Sequence, residues 1–162
     1  MIELLDVVDR DDRVIGQVTR QEVYQKNLFH RVVHIFIIDD QGRIALQLRS
    51  KDVSWCPLHW STSVGGHVQS GETYEQAALR EYQEELGTTS ALKQSGKCLY
   101  ESPEPLHKFL GIFTTTCNGP FYPDPQAVER FSFFTLDEIR AMIASGEKFH
   151  PELLFLLKQY FL

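Results

Sequence analysis

Three glutamates near the middle of the chain, Glu81, Glu84 and Glu85, have a spacing that could bind a metal ion. Residues 73 to 86 contain no Gly or Pro and are rich in strong helix formers, so they are predicted to form a helix. Positions i, i+3 and i+4 of a helix share an arc of roughly 100°, and the three carboxylates therefore converge on one face.

The acidic face is unfavourable when it has no partner. Like charges at these spacings repel by roughly a few tenths of a kcal/mol per pair, and Glu84 and Glu85 lie near the negative end of the helix dipole. A bound divalent cation would reverse both penalties, and carboxylate oxygens are the ligands that Mg²⁺ prefers. A Glu-rich face is more often a solvated surface, so the spacing alone does not decide between the two interpretations.

The remainder of the helix indicates how the acidic face is oriented. Thr73 and Gln76 resemble a capping box at its start, and Gly87 suits its C-terminal cap. The acidic face is expected to look into a cleft or into solvent, because the apolar positions on the opposite side are predicted to face the core. Those positions are Leu79, Tyr82 and Leu86.

Short apolar segments separated by turn residues predict strands around this helix. Residues 1–25 are expected to carry an N-terminal hairpin, and residues 31–38 and 43–49 the clearest hairpin, because Gly42 supplies a positive φ between them. Further strands are predicted at 59–64, 107–117 and 130–134, and further helices at 136–144 and 151–161. The predicted fold class is α/β: one domain over residues 1–162, with a mixed sheet and helices on its faces.

A longer pattern surrounds the three glutamates in residues 65–88. Its fixed positions are Gly66, Glu72 after five residues, Arg80-Glu81 after seven, Glu84-Glu85 after two and Gly87 after one. This pattern resembles the Nudix box, the signature of the Nudix hydrolase family, and all seven fixed positions match. Tyr82 and Thr88 stand where the family usually has aliphatic residues, a departure that concerns packing rather than chemistry.

The resemblance implies a Nudix fold, an α/β/α sandwich around a mixed sheet, and metal-dependent hydrolysis of a diphosphate linkage. The implied cofactor is Mg²⁺, with Mn²⁺ as an alternative. By the same resemblance, Arg80 and Glu72 would orient the box carboxylates and support the loop, and a backbone carbonyl at Gly65 or Gly66 would be a further ligand.

Family members often add an acidic residue from a loop outside the box. Glu129, just before the strand predicted at 130–134, is the preferred candidate, and Glu101 and Glu104 compete with it. The implied catalytic residues are therefore Glu84, Glu81, Arg80 and Glu72, and the implied metal ligands are Glu81, Glu84, Glu85, Gly65 and Glu129.

A second resemblance, over roughly residues 3–87, is to type I isopentenyl-diphosphate isomerase, which has the same fold. The segments that carry it include "FHR", "CPLHWSTSVGGH" and "GETYEQA", and His30 and His67 match positions where those isomerases hold a metal. The isomerase uses a Cys for proton transfer two residues before the second histidine, where this chain has Gly65. Isomerases also tend to lose the first two box carboxylates, so hydrolysis is favoured over isomerisation.

The composition and the net charge limit the classes of molecule that this protein is expected to bind. A net charge of −6 argues against a broad surface for nucleic acid, and three Cys without zinc spacing argue for a reducing compartment. The sequence contains neither a signal peptide nor a long apolar run, so we expect a cytoplasmic protein with no membrane partner. The sequence does not decide whether the chain forms a homodimer.

The expected substrate is a small diphosphate, preferably a nucleoside diphosphate derivative. The alternatives are an isomerase-like enzyme acting on prenyl diphosphates and a non-catalytic nucleotide-binding module. Candidate phosphate contacts and base-stacking residues are Arg49, Lys51, His107, Trp55, Trp60, Phe109, Phe121 and Tyr122.

Overall fold

A computed structural model describes residues 2–102 and 106–162 of the chain, in nine strands and four helices. The strands are β1 Leu4–Val8, β2 Val14–Thr19, β3 His30–Ile38, β4 Ile44–Arg49, β5 Trp60–Ser61, β6 Val64–His67, β7 Lys93–Glu101, β8 His107–Thr116 and β9 Val128–Phe134. The helices are α1 Arg20–Gln25, α2 Tyr74–Leu86, α3 Leu136–Ala144 and α4 Pro151–Tyr160. Within the described residues, no helix has the length and apolar content needed to cross a membrane.

The central sheet is mixed and contains seven strands. β3 pairs with β8 in parallel, and all of the other pairings are antiparallel. Alternate residues of β3 enter two separate cores: Val33 and Ile35 pack on the side of α2, whereas Val32 and Phe36 pack on the side of α3 and α4. A strand buried on both faces needs such a continuous apolar run. The predicted α/β/α sandwich around a mixed sheet is confirmed.

The hairpin predicted at 31–49 forms its turn, but its strands separate almost at once. Gly42 has φ of +77°, as the turn requires, yet only Ile38 and Ile44 pair across β3 and β4. Beyond that pair, β6 pairs with β3 and β5 pairs with β4, so residues 60–67 form a wedge between the two strands. The predicted hairpin is therefore confirmed at its turn, but its pairing extends no further, because a later segment takes the hydrogen bonds of both strands.

The wedge is fixed at its tip by Ser63. Its hydroxyl accepts a hydrogen bond from Ile37 N on one side and donates to the Ala45 carbonyl on the other. The single strand predicted at 59–64 is thus two short strands, interrupted at Thr62 and Ser63, and Gly65 and Gly66 lie inside β6 rather than after its end. This fork between β3 and β4 opens the space in which the site is built.

The N-terminal hairpin forms as predicted and docks on the loop that precedes α2. Ser70 N donates to the Leu4 carbonyl, and Gly71 N donates to the Asp6 carboxylate. The turn of the hairpin is held by Asp12, which accepts hydrogen bonds from three side chains at 2.7–2.9 Å, namely those of Arg31, Tyr74 and Lys97. The hairpin is therefore attached both to the sheet and to the start of the acidic helix.

The helices at 74–86, 136–144 and 151–160 lie where they were predicted. α1 and β7 were not predicted, since α1 has only six residues and β7 carries exposed polar side chains along most of its length. In α2, Tyr82 and Leu86 are buried as expected, but Leu79 is only half-buried, and Ala77 and Ala78 provide the rest of the core contact. The helix packs close to the sheet through these small residues.

Candidate active site

A cleft of about 1100 Å³ lies at the fork of the sheet. The Nudix-box residues form one wall, and the floor is formed by charged residues of β3, β8 and α4. The residues that line it and matter here are Gln47, Arg49, Trp55, Gly65, Gly66, His67, Arg80, Glu81, Glu84, Glu85, Lys108, Asp124, His34, His150 and Glu152. All of the implied metal ligands except Glu129 are therefore brought to one cavity.

The acidic helix is held rigidly at both ends. Thr73 accepts a hydrogen bond from Gln76 N at 3.1 Å while the Gln76 side chain accepts from Thr73 N at 3.0 Å, and Gly87 ends the helix with φ of +67°. The predicted capping box and C-cap are confirmed. Because Tyr82 and Leu86 fix the opposite side in the core, the three glutamates face the cleft, with Glu84 exposed and Glu81 and Glu85 half-buried.

Gly66 lies directly against the carboxyl group of Glu81. A Cβ atom at position 66 would overlap this carboxyl group, so any other residue would displace it. The expected close approach of the backbone to the acidic face is thus present. Gly65 is also closely packed, since a Cβ there would lie 3.3 Å from His34 Nδ1 and 3.4 Å from Thr62 Oγ1.

Arg80 joins the box residues to one another. Its guanidinium donates to both Glu72 oxygens at 2.8 and 2.9 Å, to Glu81 at 2.9 Å, to Glu84 at 3.3 Å and to the His67 carbonyl at 3.0 Å. The hydrogen bonds to Glu72 are the main reason that the Arg80 pKa is raised. Burial opposes ionisation of Glu72, but the Arg80 guanidinium outweighs it and lowers the Glu72 pKa. Glu72 also accepts from Gln69 N at 2.7 Å, so it fixes the loop that precedes the helix.

Glu81 and Glu85 are left with too little positive charge around them. Their carboxyl groups are close enough to interact, and burial raises the pKa of both, that of Glu85 strongly. Gln47 Nε2 donates to Glu85 at 2.6 Å and to the Ser63 carbonyl at 3.2 Å, which fixes the Glu85 side chain. Two adjacent carboxyl groups with raised pKa values are a donor set that suits a hard divalent cation.

The side chains are not arranged as a complete metal cage. In the described parts of the chain, no group of three His, Cys, Asp or Glu side chains meets the geometry of a metal site. The reason is visible at Arg80, which holds one oxygen each of Glu81 and Glu84. A cation at this wall would therefore have to compete with the Arg80 guanidinium for one oxygen of Glu81 and one of Glu84, whereas Arg80 makes no ion pair with Glu85 in the described residues.

The structure does not bring Glu129 to the cleft. Its side chain is exposed on β9, at an irregularity in the pairing with β4, and it is not among the cleft residues. Asp124 lines the cleft instead, and its backbone N–H donates to the Glu85 carbonyl at 2.8 Å. Glu101 is bound to His107 at 3.0 Å at the end of β7, and Glu104 lies outside the described residues. The sequence signal for Asp124 is its position in the Pro-rich connection before β9.

His30 and His67 lie together between the box and β8. Their rings stack at 5.6 Å between centroids, and Tyr24 Oη lies 2.6 Å from His67 Nε2. Burial lowers the pKa of His30 to about 4 and that of His67 well below its ordinary value, so both are neutral at pH 7. His30 Nδ1 lies 3.0 Å from the Leu28 carbonyl, to which it can only donate, whereas its buried Nε2 has no partner in the described residues. Ligand roles for these histidines stay a prediction.

The floor of the cleft holds a charged cluster that sequence reasoning missed. Glu152 at the start of α4 accepts from His34 Nε2 at 2.9 Å and from Lys108 Nζ at 2.8 Å, and all three residues are buried. Burial alone would raise the Glu152 pKa, but His34 and Lys108 outweigh it and hold this pKa well below the ordinary value. No local pattern reveals the cluster, because His34 and Glu152 are 118 residues apart in the chain.

A cation without an acidic partner lines the cleft at Arg49. Its Nε donates to the Trp55 carbonyl at 2.9 Å, and in the described residues no ion pair joins it to a carboxylate. Burial lowers the pKa of Arg49, and the nearby Cys56, Glu85 and Glu152 oppose this lowering only in part. Of the candidate phosphate contacts, Arg49 is therefore in place, whereas His107 is bound to Glu101 and Lys51 is exposed away from the cleft.

Comparison with known proteins agrees with this arrangement. The model of the NUDIX domain matches residues 28–157. An uncharacterised Nudix hydrolase of Streptomyces coelicolor is 40% identical over 147 residues, which cover 90% of this chain and 81% of that protein. An isopentenyl-diphosphate Delta-isomerase of Serratia proteamaculans is 33% identical over 143 residues, covering 86% of this chain and 80% of that one.

A crystal structure from Deinococcus radiodurans extends the likeness to the whole fold. It has a TM-score of 0.87 and 30% sequence identity, and it covers 99% of this chain and 100% of its own. The likeness in fold therefore extends over nearly the whole of both chains. Since the domain model spans most of the chain and the relatives match it almost throughout, this protein belongs to the Nudix hydrolase family.

Proposed function

We propose that this protein hydrolyses a diphosphate linkage in a small molecule, preferably a nucleoside diphosphate derivative, and that it requires Mg²⁺ or Mn²⁺. The observation that carries the proposal is the pair of neighbouring carboxyl groups of Glu81 and Glu85, with Glu81 packed on Gly66. The same cleft contains Arg49, which has no carboxylate partner within the described residues. Adjacent carboxylates and a separate free cation together suit a metal–diphosphate complex.

The box residues would hold the cation. Glu81, Glu84 and Glu85 would be its protein ligands, with the backbone carbonyl of Gly65 as a further candidate. A bound divalent cation would stabilise charge on phosphate oxygens and lower the pKa of a coordinated water. Asp124, which lies in the cleft and is attached to Glu85 through the backbone, replaces Glu129 as our candidate for an acidic residue outside the box.

The other residues would bind and orient. Arg80 and Glu72 keep the box carboxylates and the preceding loop in place, and Gln47 fixes the rotamer of Glu85. Arg49 would bind a phosphate oxygen of the substrate. In the overall step, the oxygen of water forms a bond to one phosphorus, the bridging P–O bond breaks, and the leaving phosphate keeps the bridging oxygen while a box carboxylate accepts the proton of the water.

Isomerisation of a prenyl diphosphate is the second candidate, favoured by the isomerases among the relatives. The position of the proton-transfer Cys is Gly65, which pairs with His34 across β3 and β6 and leaves no room for a side chain without a shift. Cys56 does not replace it, because it lies on the separate loop 50–59 and lines a neighbouring cavity. The residues at the site thus favour hydrolysis.

Hydrolysis and isomerisation can be separated with one substrate panel. Phosphate release from nucleoside diphosphates and their derivatives should require Mg²⁺ and stop in EDTA, and Glu84→Gln should abolish it without changing the fold. Glu75→Gln, at an exposed position in the first turn of α2, is the matched control and should keep full activity. Conversion of isopentenyl diphosphate into its allylic isomer, with no phosphate released from any compound, would overturn the proposal.

A further inference from the structure

The charged cluster on the cleft floor has no task in the hydrolysis proposed above. His34, Lys108 and Glu152 are only 4%, 5% and 3% exposed, and what little they expose is directed to the cleft that the box residues line. Burying three charged groups is costly unless they are fully paired, so such clusters are weak evidence for stability. A cluster placed at the floor of a binding cleft therefore calls for a functional reason.

The cluster is held in one arrangement by hydrogen bonds on both sides. His34 Nδ1 lies 2.8 Å from Thr62 Oγ1, which itself donates to the Val64 carbonyl. The Thr62 hydroxyl therefore accepts from His34 Nδ1, and His34 Nε2 donates to the Glu152 carboxylate at 2.9 Å. His34 is thus hydrogen-bonded through both ring nitrogens, and the Glu152 carboxylate lies between His34 and the Lys108 ammonium group.

Glu152 lines the cleft and still has hydrogen-bonding capacity. Each carboxylate oxygen accepts about two hydrogen bonds, and each oxygen of Glu152 receives one from the cluster. A donor stands beside it: His150 Nδ1 accepts from Glu152 N at 3.1 Å, and burial lowers the His150 pKa to about 4, so its proton is on Nε2. The floor thus offers an acceptor and an adjacent donor, the pattern that the edge of a nucleobase matches.

An exposed aromatic ring lies beside the same place. Trp55 is 47% exposed, and it lines both the main cleft and a second cavity of about 420 Å³, which the two share at His150 and Glu152. An exposed indole at a cavity mouth is suited to stack on a planar ring. An apolar prenyl chain would instead leave the polar groups of the floor without partners, which is unfavourable.

We infer that this cluster is the recognition site for the nucleoside part of the substrate: the Glu152 carboxylate accepts a hydrogen bond from an N–H of the base or an O–H of the ribose, and Trp55 stacks on the base. The inference rests on the proposed function, since it names the substrate class of the same cleft. His34 and Lys108 are positioning residues, because their hydrogen bonds hold the Glu152 side chain in place and favour its ionised form.

The test compares substrates that differ only in the organic group. Values of kcat/KM are measured for nucleoside diphosphates, ribose 5-diphosphate and methyl diphosphate, with the wild type, Glu152→Gln and the surface control Asp137→Asn. We expect Glu152→Gln to lower kcat/KM for the preferred nucleoside diphosphate by about 10- to 100-fold and to leave methyl diphosphate within about threefold. A parallel loss on ribose 5-diphosphate assigns the hydrogen bond to the ribose, and no loss there assigns it to the base. An equal loss on methyl diphosphate, or no loss at all, overturns the inference.

A binding measurement keeps the inference separate from hydrolysis. Nucleosides without phosphate are titrated in EDTA while tryptophan fluorescence is followed, so that neither metal nor turnover is needed. Glu152→Gln should weaken binding about tenfold. Trp55→Ala, an exposed change that leaves the core intact, should weaken it to a similar extent and covers the case in which Glu152→Gln does not fold. Nucleoside binding without any hydrolysis would defeat only the proposed function; hydrolysis with binding that neither variant weakens would defeat only this inference.

Discussion

The pKa values of buried carboxyl groups are shifted in opposite directions on the Nudix-box wall and on the floor of the cleft. On the Nudix-box wall, Glu81 and Glu85 lie together, and burial raises the pKa of both. On the floor, Glu152 is more deeply buried, yet its pKa is held well below the ordinary value because His34 and Lys108 contact it. Burial is similar in kind at the two places, so the difference lies in the charges that the chain itself supplies.

This difference indicates which carboxyl groups would gain most from binding an external cation. The floor is balanced by residues of the chain, and a cation would find no uncompensated charge there. The box wall is balanced only in part, by Arg80, and it would gain most from an added divalent ion. Stability and metal binding should therefore respond oppositely to loss of charge at the two walls.

The largest effect is expected on catalysis from Glu85→Gln. We expect a loss of at least about 10³-fold in kcat with Mg²⁺, equivalent to roughly 4 kcal/mol of barrier. The melting temperature in EDTA should stay the same or rise, because the change removes an ionisable group that burial and Glu81 disfavour. Steady-state kinetics and calorimetry measure the two effects. A clear fall in melting temperature would show that the Glu85 charge stabilises the fold, contrary to the comparison.

Glu152→Gln should affect stability in the opposite direction. Removing the carboxylate leaves His34 and Lys108 buried without their counterion, which is expected to lower the free energy of unfolding by about 3–5 kcal/mol. Urea unfolding followed by circular dichroism measures this. Adding Lys108→Met should restore part of the loss, since the two residues are in contact. If Glu152→Gln is as stable as the wild type, the floor is not balanced as described.

Lowering the pH is expected to have a smaller effect, which is a decrease in the free energy of unfolding. The pKa values of His30 and His150 are lowered from 6.5 to about 4 by burial, so the unfolded chain binds more protons below pH 6.5. Stability from these groups is complete above pH 6.5 and is lost as the pH falls towards 4, by about 2 kcal/mol for each group at pH 5.

His150→Asn sharpens this measurement. Asn can still accept the hydrogen bond at the start of α4, but it does not titrate. The loss of stability between pH 7 and pH 5, measured by urea unfolding, should therefore be smaller in the variant than in the wild type by about 2 kcal/mol. An unchanged dependence on pH would show that His150 does not contribute.

The smallest effect is expected from Gln47→Leu. Without the amide, Glu85 loses the hydrogen bond that fixes its rotamer, and we expect about a tenfold loss in kcat and a similar loss in Mn²⁺ affinity. Electron paramagnetic resonance of free Mn²⁺ reports the affinity without turnover. Loss of activity with unchanged Mn²⁺ affinity would place Gln47 elsewhere in the reaction.

The sequence predicted those features whose causes are local. The capping residues Thr73 and Gln76 and the left-handed Gly87 placed α2, and the box spacing placed three carboxylates on one face. The splitting of β3 and β4 could not be predicted, because the competing segment 60–67 lies outside the hairpin itself. Leu79 was assigned to the core from periodicity, but Ala77 and Ala78 bring the helix closer to the sheet and leave Leu79 at its margin.

The same distinction separates the two walls of the site. The box wall comes from one continuous stretch, and it was therefore visible from its pattern. The floor combines β3, β8 and the start of α4, and only the tertiary fold places His34, Lys108 and Glu152 in contact. Asp124 and Glu129 are only five positions apart, and which of them reaches the cleft depends on the path of the connection into β9.

The docking of the N-terminal hairpin sets a limit on how far the chain can be shortened. The family model starts at residue 28, but the loop that leads into the acidic helix gives its Ser70 and Gly71 amides to the hairpin. Removing residues 1–27 would free those amides and leave Arg31 and Lys97 without Asp12. The hairpin is thus an integral support of the loop before α2, and a minimal domain cut at the family boundary would not preserve it.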